Sequence, residues 1–93
     1  MRVISNRPLT AFAAIHPDAA IPLRVWRKIV ESRPFLSFAD LKSMFNASDK
    51  VGDFYVFNIS GNKYRIVTSI HFNHQKLYVR YVLTHKEYGK WAP

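Results

Sequence analysis

Ninety-three residues suffice for one domain with a single modest core, and a chain that is 48% hydrophobic and 15% aromatic lies well outside the range of disordered sequences. The absence of cysteine excludes a disulfide framework, a thiolate zinc site and a thiol nucleophile, and suits a reducing cytosol, hence a cytoplasmic protein. A net charge of +8 draws the surface toward polyanions: RNA, DNA, an acidic protein or an anionic membrane.

Residues 1–93 read as one domain without a linker. No apolar run approaches the roughly 18 residues of a membrane span, so no membrane partner is expected. Met1-Arg2 leads directly into the strand pattern of Val3-Ile4 instead of a signal peptide. Residues 2–5 form a short first strand, after which Asn6 as N-cap and Pro8 in the first turn open a helix. Leu9, Phe12, Ala13 and His16 fall at helical spacing, and His16-Pro17-Asp18 breaks the helix because a residue before proline avoids the α region. Asp18 then caps a second helix over about residues 19–32. Its apolar stripe is Ile21, Val25, Trp26, Ile29 and Val30, and Arg24, Arg27, Lys28 and Glu31 form a solvated opposite face.

Arg33-Pro34 ends that helix, and Ser37 with Asp40 three residues on opens a short third one, with Phe38, Leu41 and Phe45 as core candidates. Residues 46–53 (NASDKVGD) are polar and turn-rich and are expected to form a loop. From Phe54 onward the pattern is three strands and two turns, and no Asp or Glu occurs between Phe54 and Lys86.

The register of this sheet follows from its turns. Gly61-Asn62 between alternating runs is a hairpin signal that pairs Asn58 with Arg65, Phe57 with Ile66 and Val56 with Val67. A second turn around Asn73 to Gln75 pairs Phe72 with Leu77, Ile70 with Val79, Ile66 with Leu83 and Arg65 with Thr84. Alternation then puts Phe57, Ile59, Tyr64, Ile66, Ile70, Phe72, Leu77, Val79 and Leu83 on a core face under the N-terminal helices. Asn58, Arg65, Val67, Ser69, His71, Tyr78, Arg80 and Val82 occupy the other face, expected to be uncovered and positive. The fold class is α+β: N-terminal helices on one face of a small, mainly antiparallel sheet, with a short C-terminal helical turn.

This register gathers Arg65, Asn58 and Thr84 at one end of the sheet, followed by His85, Lys86 and Tyr88. An arginine can grip a phosphodiester and stabilise a pentacoordinate transition state. A histidine moves protons near neutral pH, and a tyrosine stacks on a base or donates a proton. With RNA the nucleophile can be the substrate's own 2′-hydroxyl, which needs no cofactor, whereas a two-metal nuclease needs carboxylates that this window lacks. Structural alternatives stand beside each residue. Arg65 could pair with Asp53 or the terminal carboxylate. Thr84 and Glu87 are also a capping box that starts a final helical turn, with Tyr88 and Trp91 packed on the sheet. His71 and His74 point to opposite faces of a strand and lack a third ligand, so they read as surface residues; Tyr78 and Arg80 line the sheet surface or an RNA track.

The runs FNISGNKYRIV (57–67) and YVRYVLTHKEY (78–88) together resemble the HigB toxins of bacterial type II toxin–antitoxin systems, within the RelE-like superfamily, and the resemblance covers nearly the whole chain. It implies a RelE-like fold and a ribosome-dependent mRNA interferase that cleaves message in the A site by metal-free 2′-hydroxyl attack. Expected partners are mRNA on the ribosome, ribosomal RNA and a HigA-like helix-turn-helix antitoxin. Residue by residue it implies catalytic roles for Arg65 in GNKYR and for His85, Lys86 and Tyr88 in THKEY, with His85 as general base. Asn58, Asn62, Lys63 and Arg80 are the expected RNA-binding residues. Two other classes stay open: a non-catalytic RNA- or rRNA-binding module, and a superfamily toxin acting on a protein such as DNA gyrase.

Overall fold

The computed structural model describes residues 1–91. The chain runs β1 (Arg2–Ile4), α1 (Arg7–Ile15), a 3-10 turn (Pro17–Ala19), α2 (Ala20–Val30), α3 (Phe38–Met44), β2 (Ser48–Val51), β3 (Phe54–Ile59), β4 (Tyr64–His71), β5 (Lys76–Thr84) and α4 (His85–Trp91). The strands form one sheet in the order β1-β5-β4-β3-β2, antiparallel except for the parallel β1–β5 pair. This is the expected α+β arrangement, with α4 as the C-terminal helix.

The helices form where the spacing of apolar residues requires them. In α1, Leu9 and Phe12 are buried, and His16 ends the helix while stacking on Phe12 at a centroid distance of 4.5 Å. In α2 the buried face is Leu23, Trp26 and Val30, at helical spacing. The stripe expected through Ile21 and Val25 is corrected: these side chains are 69% and 50% exposed, because the helix is rotated so that Leu23 points inward. Ser37 caps α3 by accepting from the Asp40 backbone N–H, as its spacing predicts. Leu41 is fully enclosed, with Phe38 and Phe45 packed against the core.

Two expectations about caps and loops change. Asp18 makes no capping bond to α2; its carboxylate is drawn away to Lys63 and Tyr64. Residues 46–53 are not a plain loop, since Ser48–Val51 pairs antiparallel with β3 through a turn at Gly52, whose φ of +60° suits glycine. Asp49 and Lys50 are exposed on this edge strand, which conceals its strand character in a polar sequence.

The first hairpin has the expected register: Asn58 opposite Arg65, Phe57 opposite Ile66 and Val56 opposite Val67. Ser60 and Gly61, both at positive φ, turn the chain between β3 and β4. The second hairpin is offset, with His71 opposite Lys76 and Ile70 opposite Leu77 across a turn that ends in left-handed Gln75. A bulge then intervenes: Thr68 faces Val79 and Val67 faces Tyr81, leaving Arg80 without a partner on β4. Beyond it the faces exchange. Val82 packs against the core and Leu83 lies opposite Arg65, while Thr84 lies opposite Tyr64, so the expected Arg65–Thr84 and Ile66–Leu83 pairs do not form.

The core lies between the N-terminal helices and one sheet face. Trp26 packs edge-on to Phe57 at 5.3 Å, and Phe45 meets Phe57 in the same way at 5.2 Å. The opposite face was expected to be uncovered; α4 instead packs on β4 and β5. Val56 and Val67, which alternate with core residues, are accordingly buried.

Trp26 is almost fully enclosed and its indole N–H finds no acceptor among the described residues, so its contribution there is packing. Trp26→Ala should lower the unfolding free energy by about 3–5 kcal/mol in urea titration. A loss below about 1 kcal/mol would contradict this enclosure.

Candidate active site at the junction of β5 and α4

The site is assembled where β5 passes into α4. Thr84 ends the strand and starts the helix: its backbone N–H donates to Glu87 Oε1 at 2.8 Å, and its hydroxyl accepts from the Glu87 N–H at 3.2 Å. The backbone and side chain of Thr84 hold the Glu87 carboxyl below its ordinary range. The cap places His85 and Lys86 in the first turn of α4, both exposed, with Tyr88 half-buried one turn on. The His85 backbone N–H donates to the Lys63 carbonyl at 3.0 Å, tying this turn to the tip of the β3–β4 hairpin.

Beneath the turn lies Arg65, only 7% exposed. Its Nη1 donates to the carbonyls of Asn62 at 2.9 Å and Tyr64 at 3.4 Å, and the guanidinium carbon lies 5.1 Å from the centre of the Tyr88 ring. Its Nη2 lies 3.3 Å from His85 Nδ1. A guanidinium only donates, so in this contact Nδ1 is the acceptor. Among the described residues no carboxylate bonds to Arg65. A buried guanidinium served only by neutral acceptors has the chemistry to receive an anion, because its desolvation is compensated only in part.

Arg65, His85 and Tyr88 thus meet as expected, and Lys86 shares their helical turn. Asn58 lies beside them on β3 and donates through Nδ2 to Asn62 Oδ1 at 3.3 Å. Lys63 is placed differently, in an ion pair with Asp18, which also accepts from the Tyr64 hydroxyl at 2.7 Å. Arg80 stands apart at the bulge, bonded through Nε to Ser69 at 3.0 Å and stacked over Tyr78. His71 packs edge-on to Tyr78, and among the described residues no three His, Asp or Glu side chains converge.

The sequence reading missed Tyr81 and Phe54. With Tyr88 and Trp91 they form an aromatic surface beside Arg65: Trp91 stacks on Tyr88 at 5.8 Å and contacts Phe54 and Tyr81 at 5.6 and 6.1 Å. Regular alternation puts Tyr81 on the core face with Leu77 and Val79, and only the bulge turns it to this one.

Comparison with known proteins bears on this arrangement. Residues 19–91 match the HigB_toxin family, described as the RelE-like toxic component of a toxin–antitoxin system. The chain belongs to this family. Among curated HigB relatives, the mRNA interferase toxin HigB of Escherichia coli K12 is 33% identical over 95% of this chain and 88% of its own length. The mRNA interferase HigB of Shigella flexneri matches with the same identity and coverage. A HigB from Escherichia coli O6:H1 strain CFT073, also named mRNA interferase, is 25% identical over 97% of this chain and 90% of that protein. The matched span contains Arg65 and the whole THKEY turn.

Asp18 positions the hairpin tip, and its ionisation carries a pH signature. Lys63 and then Tyr64 hold its carboxyl below the ordinary range, while Asp18 raises the pKa values of Lys63 and Tyr64. The depressed carboxylate stabilises the fold above its unfolded pKa of about 4 and loses that contribution as pH falls through the folded value. The two raised groups contribute below their unfolded pKa values, about 10, and lose it as pH rises through the folded ones. Asp18→Asn should therefore flatten the dependence of stability on pH at both the acid and alkaline limbs. Thermal unfolding across pH measures this, and unchanged limbs would deny the clamp.

Proposed function

We propose that this HigB-family chain is an endoribonuclease that cleaves mRNA in the ribosomal A site, with Arg65, His85, Lys86 and Tyr88 carrying the reaction. One observation carries this reading: the contact of Arg65 Nη2 with His85 Nδ1, beneath Tyr88, with no carboxylate of the described residues, Asp53 included, on the guanidinium; the terminal carboxylate lies outside the described residues. The names of the curated relatives, each an mRNA interferase, support the substrate.

The chemistry follows from that contact. A scissile phosphate is a stronger acceptor than an imidazole, so Arg65 turns Nη2 to the phosphate oxygens. His85 Nδ1 then has a free lone pair and takes the proton of the 2′-hydroxyl. The 2′ oxygen bonds to phosphorus, and Arg65 stabilises the charge on the pentacoordinate centre. The bond to the 5′ oxygen breaks, with a proton delivered from the Lys86 ammonium, leaving a 2′,3′-cyclic phosphate and a 5′-hydroxyl. Tyr88 holds the guanidinium by cation–π contact and offers its ring to a neighbouring base. Asn58, Asn62 and Lys63 at the hairpin tip, and Arg80 along β5, hold the flanking backbone.

Action on the ribosome is consistent with a molecule of about 33 × 26 × 21 Å and a net charge of +8, small and basic enough for an RNA-lined cleft. Such a site of action is cytoplasmic, and no helix among the described residues is long and apolar enough to cross a membrane. As the toxic component of a toxin–antitoxin pair, the chain is neutralised by an antitoxin, here a HigA-like helix-turn-helix protein.

Primer extension on a translated mRNA, with and without ribosomes, tests the reading. Cleavage should appear only with ribosomes; equal cutting of naked message would remove the ribosome from the mechanism. Arg65→Ala should slow cleavage by about 10²–10³-fold and His85→Gln by about 10²–10⁴-fold, both with retained circular dichroism. Full activity of His85→Gln would assign the base elsewhere.

A further inference from the structure

β5 is paired with β1 along only part of its length. The parallel register joins Arg2, Val3 and Ile4 to Lys76, Leu77 and Tyr78, and no strand pairs with that edge of β5 from Val79 to Thr84 among the described residues. Ser5 explains the stop: at a φ of +67°, a left-handed value that serine seldom adopts, it turns the chain off the sheet and into α1. The α1 helix then runs beside the vacated edge, forming a groove of about 430 Å³ between them. Phe12 and Val82 lie at its inner side, and Ile15 and Tyr81, 76% and 48% exposed, line its mouth. Arg80 and His16 supply basic groups, and Glu87, whose Oε1 already accepts from Thr84, marks the end next to His85.

We infer that this groove takes an extended, acidic segment of the antitoxin, which pairs with the β5 edge from Val79 to Thr84 as an added strand. The inference rests on the reading of the chain as a neutralised toxin and adds where, and in what conformation, the partner binds. An unpaired edge with its own side-chain groove is the structural requirement for strand addition: the ladder supplies backbone bonds, and the groove takes alternate side chains. The open edge is about 20 Å long at ~3.3 Å per residue. Charge selects the occupant. A second copy of a chain carrying +8 is repelled, whereas a segment with carboxylates opposite Arg80 and His16 is attracted. RNA, which has no strand backbone, leaves the edge unpaired. A segment on this track ends at the THKEY turn, so its far end lies against the residues proposed to cut RNA.

Backbone amide exchange of the toxin, alone and in complex with the antitoxin encoded beside it, tests this directly. On complex formation exchange should slow at amides between Val79 and Thr84, and Ile15→Glu, a change at an exposed position, should weaken the complex by about tenfold or more with mRNA cleavage unchanged. A tight complex protected elsewhere, with these amides unaffected, overturns the inference while leaving an antitoxin partner in place. Protection of these amides by self-association of the free toxin overturns the choice of occupant. Failure to form any complex overturns both the inference and the partner reading. Failure of the free toxin to cleave mRNA on ribosomes, with these amides protected in the complex, would strike the catalytic reading and leave the docking site standing.

Discussion

A strand with one residue more than its neighbour must either lose its pairing or bulge, and β5 bulges at Arg80. The position of that surplus residue determines which side chains meet where β5 passes into α4. Val79 and Val82 both reach the core although they are an odd number of residues apart, and Tyr81 turns to the opposite face. Downstream, Leu83 comes opposite Arg65 and Thr84 arrives at the last rung of the ladder, where its backbone can leave the sheet and its hydroxyl can cap a helix. His85 therefore emerges directly above the guanidinium. With regular pairing continued beyond Thr68–Val79, Val82 would lie opposite Arg65 and Leu83 opposite Tyr64, and Thr84 would fall beyond the last rung of the ladder.

The distribution of carboxylates completes the arrangement. Glu31 bonds to Arg27 and to the Val3 backbone, and Asp40 to Arg33 and the Leu36 N–H. Asp18 serves Lys63 and Tyr64, and Glu87 serves Thr84. Each of these four acids is committed to a structural joint, either between elements distant in the chain or at a helix start. Among the described residues, Arg65 is left with two carbonyls and an imidazole. Had any of these acids reached it, the site would hold a satisfied ion pair, and an incoming phosphate would have to displace it.

Much of this was legible in the residues. The Gly61-Asn62 turn fixed the β3–β4 register because a short loop leaves few ways to pair its flanks. The Thr84–Glu87 spacing announced the start of α4, and Ser37–Asp40 that of α3. What escaped depended on tertiary structure. The β5 bulge leaves no mark in YVRYV, whose alternation fits either register. Asp18 has the sequence context of a cap, yet a lysine and a tyrosine more than forty positions later outbid the helix for its oxygens. Asp49 and Lys50 disguised β2 as a loop, since an edge strand can be polar on its outer side. The capping box with Tyr88 and Trp91 pointed to a final turn packed on the sheet, but the spacing of these residues does not tell that the turn closes over Arg65, so that face was expected to be open.

That tail is too short to hold itself together as an isolated helix, for which roughly 12–15 residues are needed in water. It persists through the Thr84–Glu87 cap, the His85 bond to the Lys63 carbonyl and the ring contacts of Tyr88 and Trp91. Its local melting is thus separable from unfolding of the domain. On warming, the helix would detach while Trp26 and the sheet remain packed, dispersing His85, Lys86 and Tyr88 before any global transition is seen. A protein built this way has two thermal limits, and the lower of them belongs to the cluster around Arg65.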